Sequence, residues 1–401
     1  MKDLGNIDGS TRTVGSFLVL LVFLSVAGAG FAAEPFEIIC DGEATAISAD
    51  GSVVVGIERE TRETWRWTKK TGRVLLGHSS GSANEINWGT PDVSDDGRVV
   101  SATVTSADSE SESLARWTDK GGWDFPADLT DVPGAERQKR NSLAWGLSDD
   151  GSTLVGQVRF SDDSTGAAVW KPQRGLVILG TEGINSRAND CSADGAFVVG
   201  CSESPDTGVW QPTVWSDGKP DLLASTKAFC EAVAVNRNGH IIVGQAYDEK
   251  SDQRAAALWL NSDFGWVQEW LGTLPGTIGG YGQSMALDLT DDGHTIVGFN
   301  SLDPNRSVGF IWTFENGLRE AHDQLAGHDV FLPEGFRINA ITGISNDGSY
   351  MTGYGEDTTF WPRQTRSFLI RVKEFPREQP RKKILPAGTD ISNPFKTRDL
   401  E

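Results

Sequence analysis

The chain has 401 residues, with 36 basic against 56 acidic side chains and a formal net charge of −20. An anionic surface of this size gains nothing from phosphate backbones or acidic headgroups, which argues against DNA, RNA and anionic lipid as partners. Four cysteines are too few for a disulfide scaffold at this length, and the five histidines are scattered, with no C-x-x-C and no metal-ligand spacing among them.

Residues 1–33 read as a targeting segment. Lys2 and Arg12 flank an apolar run from Phe17 to Val26, and the small residues Ala27-Gly28-Ala29-Gly30-Phe31-Ala32-Ala33 follow. That order predicts a signal peptide cut after Ala32 or Ala33, and hence an exported chain that is periplasmic, cell-surface or secreted. No later stretch is long and apolar enough to span a bilayer.

From residue 34 to 372 one phrase recurs, first as Ser48-Ala49-Asp50-Gly51-Ser52-Val53-Val54-Val55-Gly56. Its turn dipeptides are Asp50-Gly51, Asp96-Gly97, Asp150-Gly151, Asp194-Gly195, Asn238-Gly239, Asp292-Gly293 and Asp347-Gly348, with glycine-to-glycine steps of 44 to 55 residues. Asp-Gly between apolar runs is a hairpin signal, because glycine takes positive φ without strain. The turn is expected to be a two-residue one. An aliphatic and a small polar residue precede most turns (Ile47-Ser48, Leu147-Ser148, Ile344-Ser345), and a β-branched run closed by glycine follows. The second copy departs, with Ser101 at the glycine site. A third run ends in Trp67, Trp117, Trp170, Trp215, Trp259 or Trp312, and a fourth follows a glycine-bearing turn. Each unit thus offers four short strands, A to D. Seven such units predict an all-β, seven-bladed β-propeller of four-stranded antiparallel blades.

The seventh unit lacks a convincing fourth strand. Residues 36–40, Phe36 to Cys40, sit where a D strand precedes each later A strand, so they are expected to complete the last blade and remove an exposed edge. Residues 373–401 are polar, carry Pro376, Pro380, Pro386 and Pro394 with Arg381-Lys382-Lys383, and read as a basic tail.

The repeat resembles the bacterial extracellular HAF repeat family, named for a His-Ala-Phe run before the tryptophan. The run survives in part as Ala167-Ala168-Val169-Trp170, Ala256-Ala257-Leu258-Trp259, Gly309-Phe310-Ile311-Trp312 and Ser367-Phe368-Leu369, and no copy keeps the histidine. It is also similar to WD-repeat-like secreted propellers, which share S-x-D-G turns. The resemblance covers nearly all of 36–372. It implies secretion and repeat architecture, and it implies no particular activity.

In such a ring the A–B and C–D turns share one face, and the variable B–C and D–A loops share the other. Binding residues concentrate in variable loops on a rigid scaffold. The candidates there are Trp88, Trp145 and Tyr281 for stacking on a ligand, Arg137 and Arg140 in the 124–142 connection, and His322 and His328 in 319–338. Five positions before each turn glycine stand Ala46, Asp92, Gly146, Asp190, Ala234, Asp288 and Gly343. Asp92, Asp190 and Asp288 either hold a Ca²⁺ ion with oxygen ligands or bond backbone donors between blades. No other cofactor is implied. Cys191 should lie opposite Val198, and Cys201–Cys230 is the expected disulfide if one forms.

No nucleophile elbow, zinc-protease helix or placed Ser/His/Asp set is present. The expected function is therefore a non-enzymatic, monomeric binding module for a protein or glycan. The alternatives are a hydrolase or lyase acting on extracellular polysaccharide, and a Ca²⁺-binding structural protein of the envelope.

Overall fold

The computed structural model describes residues 34–78, 89–105, 112–125, 142–181, 183–224, 227–275, 283–303 and 306–373. The leader, the tail beyond 373, and the candidates Trp88, Arg137, Arg140 and Tyr281 lie outside them.

Among the described residues the strands form seven four-stranded antiparallel sheets, each in simple A-B-C-D order. The A strands of blades 1 to 7 are Glu43–Ile47, Asp92–Val93, Ser142–Leu147, Ser186–Cys191, Glu231–Val235, Ser284–Leu289 and Phe336–Ile344. The seventh sheet is completed by Phe36–Asp41, which pairs antiparallel with Gln364–Arg371 from Phe36↔Ile370 to Asp41↔Arg366. Closure by the N-terminal strand is thus as expected. It is anchored by Phe36, whose ring lies 5.4 Å from Phe368 and 5.3 Å from Phe336.

Position within a blade follows composition. The B strand Val53–Ile57 is buried at every residue, because neighbouring blades cover both its faces. The outer strand Lys219–Leu222 is exposed at every residue and carries Lys219, Pro220 and Asp221, which discourage edge pairing. The C-strand tryptophans fill the space between blades, and Trp215 and Trp259 are fully buried.

The turn chemistry explains the recurring phrase. Gly51 N donates to Ser48 O at 2.9 Å, so Ser-x-Asp-Gly is itself the turn, and only the glycine takes positive φ (68°). Ser48 Oγ donates to Asp50 Oδ1 (2.9 Å) and accepts from Val53 N (3.0 Å), while Asp50 Oδ1 also accepts from Ser52 N. The connection therefore holds four residues between Ser48 and Val53, and the expectation of a two-residue turn is corrected. The same bonds recur at Asp96, Asp150, Asp194, Asp292 and Asp347, with Asn236 and Asn238 substituting in blade 5.

The B-strand glycines answer to a bulge. Six A strands shift register at the residue six before the turn glycine, between Ala44 and Ala46 in blade 1 and between Ala144 and Gly146 in blade 3. The shift pushes a carbonyl onto the B strand, and a Cβ at Gly156 would stand 1.9 Å from Leu143 O. Blade 2 has only Asp92–Val93 as its A strand and does not show this bulge. The register also moves the departure in that copy by one residue. Ala102, facing Ala115, occupies the glycine site, whereas Ser101 faces Arg116 as Val55 faces Arg66.

None of the four cysteines forms a disulfide, which corrects the Cys201–Cys230 expectation. Cys201 instead lies opposite Arg187 in register, inside blade 4. Cys191 faces Val198 as its count from the turn requires. Among the described residues helix is confined to one short element, α1 (Ala321–Ala326), in the connection between blades 6 and 7.

Candidate functional site

The A strands line a central channel that contains a cavity of about 360 Å³. The bulge decides which side chains enter it. Thr45, Trp145, Asn189, Val233, Leu287 and Thr342 are the bulged residues, and all six line the cavity. The polar ones bond the next blade: Thr45 Oγ1 donates to Pro91 O (2.6 Å), Thr342 Oγ1 to Ala44 O (2.9 Å) and Asn189 Nδ2 to Ala232 O (2.8 Å). Trp145, Val233 and Leu287 have no polar atom placed to do so. With Met285 they leave half-buried apolar surface facing the channel.

Asp92, Asp190 and Asp288 all line this cavity. Each bridges two blades through backbone donors. Asp92 Oδ1 accepts from its neighbour Val93 N (2.7 Å), and Oδ2 from Leu147 N (2.8 Å) in blade 3. Asp190 does the same with Cys191 N and Val235 N, and Asp288 with Leu289 N and Ile344 N. The residue facing each aspartate at the same position of the next blade is small: Gly146, Ala234 and Gly343. A Cβ at Gly146 would already lie 2.5 Å from Asn189 O. Alternation of aspartate with a small residue is thus a stapling pattern joining blades 2 to 3, 4 to 5 and 6 to 7. Burial pushes Asp92 and Asp288 up to about 7, against the pull of their amide donors, and raises Asp190 well above the ordinary carboxylate range, with Asp92 and Asp288 adding across the channel. Among the described residues no three His, Cys, Asp or Glu side chains gather closely enough to hold a metal ion.

The turn-face end of the channel is crossed by side chains from the variable position of the Ser-x-Asp-Gly turn. Arg237 of blade 5 reaches Asp95 Oδ2 of blade 2 (2.8 Å) and Asp149 Oδ2 of blade 3 (2.9 Å). Asn346 Nδ2 of blade 7 donates to Asp95 Oδ2 (3.2 Å). Backbone bonds link neighbouring turns below them, as in Asp95 N to Asp149 O and Asp291 N to Asn346 O. Burial pushes Asp149 up to about 6, with the Asp95 charge adding and Arg237 opposing.

Toward the other end a buried polar group stands on blades 3 to 5. Arg187 pairs with Glu231 and donates through Nε to Asn189 Oδ1 (2.8 Å), while Asn189 Nδ2 also donates to Glu231 Oε2 (2.8 Å). The Arg187 guanidinium lies 4.1 Å from the centroid of Trp145, a cation–π contact that fixes the ring.

Of the described candidates, Trp145 and the three aspartates come together in the channel. His322, in α1, and His328, just after it, do not line the cavity. Burial lowers His328 below the ordinary histidine range, with Asp329 opposing. Sequence reasoning missed Arg187, Asn189, Glu231 and Arg237. Only the fixed offsets from the turn glycine could have flagged them. It also missed Trp361, which is 94% exposed in the B–C loop of blade 7.

No family model and no curated protein matches the sequence. Among solved structures, the β-propeller domain of the Trilobed protease from Pyrococcus furiosus, described as having an open velcro topology, is 11% identical over 83% of this chain and 95% of that one, with a TM-score of 0.52. The β-propeller domain of Cps50 (Swd1) from Myceliophteria thermophila is 9% identical over 84% of this chain and 99% of that one, with a TM-score of 0.48. TolB from Acinetobacter baumannii is 11% identical with a TM-score of 0.42 over 69% of this chain, which spans 62% of TolB, less than two thirds of its length. At such identities the likeness concerns architecture alone, and the Pyrococcus furiosus domain, with its TM-score of 0.52, supports that this chain folds as a β-propeller.

Proposed function

We propose that the chain is an exported, non-enzymatic binding module that takes a protein or glycan ligand at the channel mouth on the face of the variable loops. One observation carries the reading. The channel is crossed at the turn face by Arg237, Asp95, Asp149 and Asn346, while its cavity holds a ring, Trp145, fixed by the Arg187–Glu231 pair. A site built on strands and held by buried partners is pre-organised, which lowers the entropic cost of binding. Export is supported by the leader pattern of 1–33 and by the HAF-like repeats. Among the described residues no helix is long and apolar enough to cross a membrane. The polysaccharide hydrolase reading is less well supported, because Glu231, the carboxylate nearest this ring in the network, is already engaged by Arg187 and Asn189.

The test is capture of glycans on an array, and of purified envelope proteins, by the 34–401 chain, compared with Trp145→Ala and with Lys171→Ala, whose ammonium donates to Gly195 O (2.8 Å) on the turn face. Capture lost in Trp145→Ala and kept in Lys171→Ala is the expected result. Capture insensitive to Trp145→Ala but lost in Lys171→Ala would place binding on the opposite face and overturn the reading.

A further inference from the structure

The channel cavity has two unlike walls. On blades 7 and 1 Thr342 and Thr45 are committed to interblade hydrogen bonds, as is Asn189 on blade 4. On blades 5 and 6 Val233, Met285 and Leu287 stand half-buried with apolar surface toward the channel. Nothing in the repeat requires apolar residues there, since the same bulge position holds threonine or asparagine in other blades. Half-exposed aliphatic surface inside a concave site is the ordinary lining for the apolar body of a small ligand.

The ionisable groups lining the same space are nearly all carboxyls; burial holds Asp92 and Asp288 toward the neutral form, and a cation among them would draw them to the ionised one. Six carboxyl groups, from Asp92, Asp149, Asp190, Glu231, Asp288 and Asp291, line the cavity with a single guanidinium, that of Arg237. Glu231 is matched by Arg187, and Arg237 is divided between Asp95 and Asp149. Asp190 feels both Asp92 and Asp288, so the three stapling carboxyls share one field although they stand on different blades. Each oxygen of these groups accepts one backbone amide and keeps lone-pair capacity for a second donor. Acceptors spread round a wall, with no three gathered at one point, suit a multi-donor organic cation better than a bare metal ion.

We infer that the cavity binds a small organic cation with an apolar body, a primary ammonium whose ring or hydrocarbon lies on Val233, Met285 and Leu287 and whose charge faces Asp190 and Asp288. The inference rests on the proposed binding role and narrows its chemistry: the natural occupant is a free amine or the lysine-like side chain of a ligand seated at the mouth.

Isothermal titration calorimetry of the 34–401 chain with phenethylammonium chloride, against the neutral analogue 2-phenylethanol at equal ionic strength, tests it. The ammonium is expected to bind at least about tenfold more tightly than the alcohol. Leu287→Lys, which supplies a cation from within, is expected to abolish ammonium binding. Val233→Phe, which fills the apolar wall while keeping it apolar, is expected to do the same, and circular dichroism melts show which variants have folded. Equal affinity for alcohol and ammonium, no heat from the ammonium up to about 10 mM, or undiminished binding in a folded Leu287→Lys or Val233→Phe would overturn the inference. The glycan and protein captures proposed above are read separately. Capture that persists when the ammonium fails leaves the binding role standing, and ammonium binding without capture overturns the protein or glycan reading alone.

Discussion

Asp288→Asn probes whether the alternating aspartates hold the ring together. In the native chain Oδ1 accepts from Leu289 N at 2.8 Å and Oδ2 from Ile344 N at 2.7 Å. An asparagine offers one oxygen and one NH₂, so one of the two backbone donors would face another donor. Leaving a buried N–H without an acceptor costs about 1–3 kcal/mol, which in a domain of this size lowers Tm by about 2–6 °C. The pH dependence separates this mechanism from generic damage. Burial pushes Asp288 from the ordinary 3.8 up to about 7, against its two amides. Between those values the folded chain binds more protons than the unfolded chain. The group's contribution to stability is therefore fullest near pH 4 and is lost as pH rises through about 7. Asparagine does not titrate. The Tm gap between wild type and Asp288→Asn, read by scanning calorimetry, is expected to be widest near pH 5 and narrowest near pH 8, at about the cost of the lost bond. A gap that widens with rising pH would mean that the anion is the favoured buried form, and the reasoning would fail. An unchanged Tm at every pH would remove the staple altogether.

Three further outcomes follow from the same geometry. Arg237→Met keeps an apolar stem but withdraws the charge between Asp95 and Asp149. Its Tm is expected to fall by about 1–4 °C near pH 8 and by less near pH 5, where Asp149, titrating at about 6, is mostly protonated and needs no counter-ion; an equal loss at both values would show that the contact is not electrostatic. Deleting residues 34–41 bares the edge of Gln364–Arg371 and uncovers Phe368 and Phe336, so size-exclusion chromatography should show concentration-dependent association, whereas a monodisperse, cooperatively melting product would mean the ring needs no closing strand. Thiol titration without reductant should find none of the four cysteines reactive in the native chain, where burial pushes Cys40 and Cys201 up to about 12, and all four after denaturation; a shortfall of two would restore a disulfide.

The fold was legible because its instructions are local. Ser-x-Asp-Gly carries its own hydrogen-bond set within six residues, from Ser48 to Val53, so each copy announces a hairpin whatever surrounds it. Closure by Phe36–Asp41 was legible for a related reason: the strand precedes the first A strand as a D strand precedes the others. The inner wall was not legible in the same way. Strand alternation counted back from the turn fails at the bulge, which inserts one residue and changes which side chain enters the channel. Arg187 and Glu231 are 44 residues apart and meet only because blades 4 and 5 are neighbours. Nothing near either residue marks it. Trp145 could be singled out because a tryptophan outside the repeat frame is conspicuous, but the guanidinium that fixes its ring could not.

Seven is an odd number, and the three aspartate staples divide the ring into pairs that leave blade 1 over. Blade 1 is also the blade covalently continuous with the closing strand, through Gly42, whose carbonyl accepts from Ser367 Oγ of blade 7 at 2.8 Å. At its two interfaces the bulged threonines do the joining, Thr342 to Ala44 O on one side and Thr45 to Pro91 O on the other. The polar wall of the cavity is therefore the wall where closure depends on bulge hydroxyls. Blades 3, 5 and 6 carry Trp145, Val233 and Leu287 at the bulge, and these side chains make no hydrogen bond to the next blade. Exchanging Val233 for threonine should leave the melting temperature nearly unchanged, whereas exchanging Thr342 for valine removes the donor to the carbonyl of buried Ala44, a cost of about 1–3 kcal/mol that lowers Tm by about 2–6 °C. The side of the channel released from holding the ring is the side on which a ligand can be recognised.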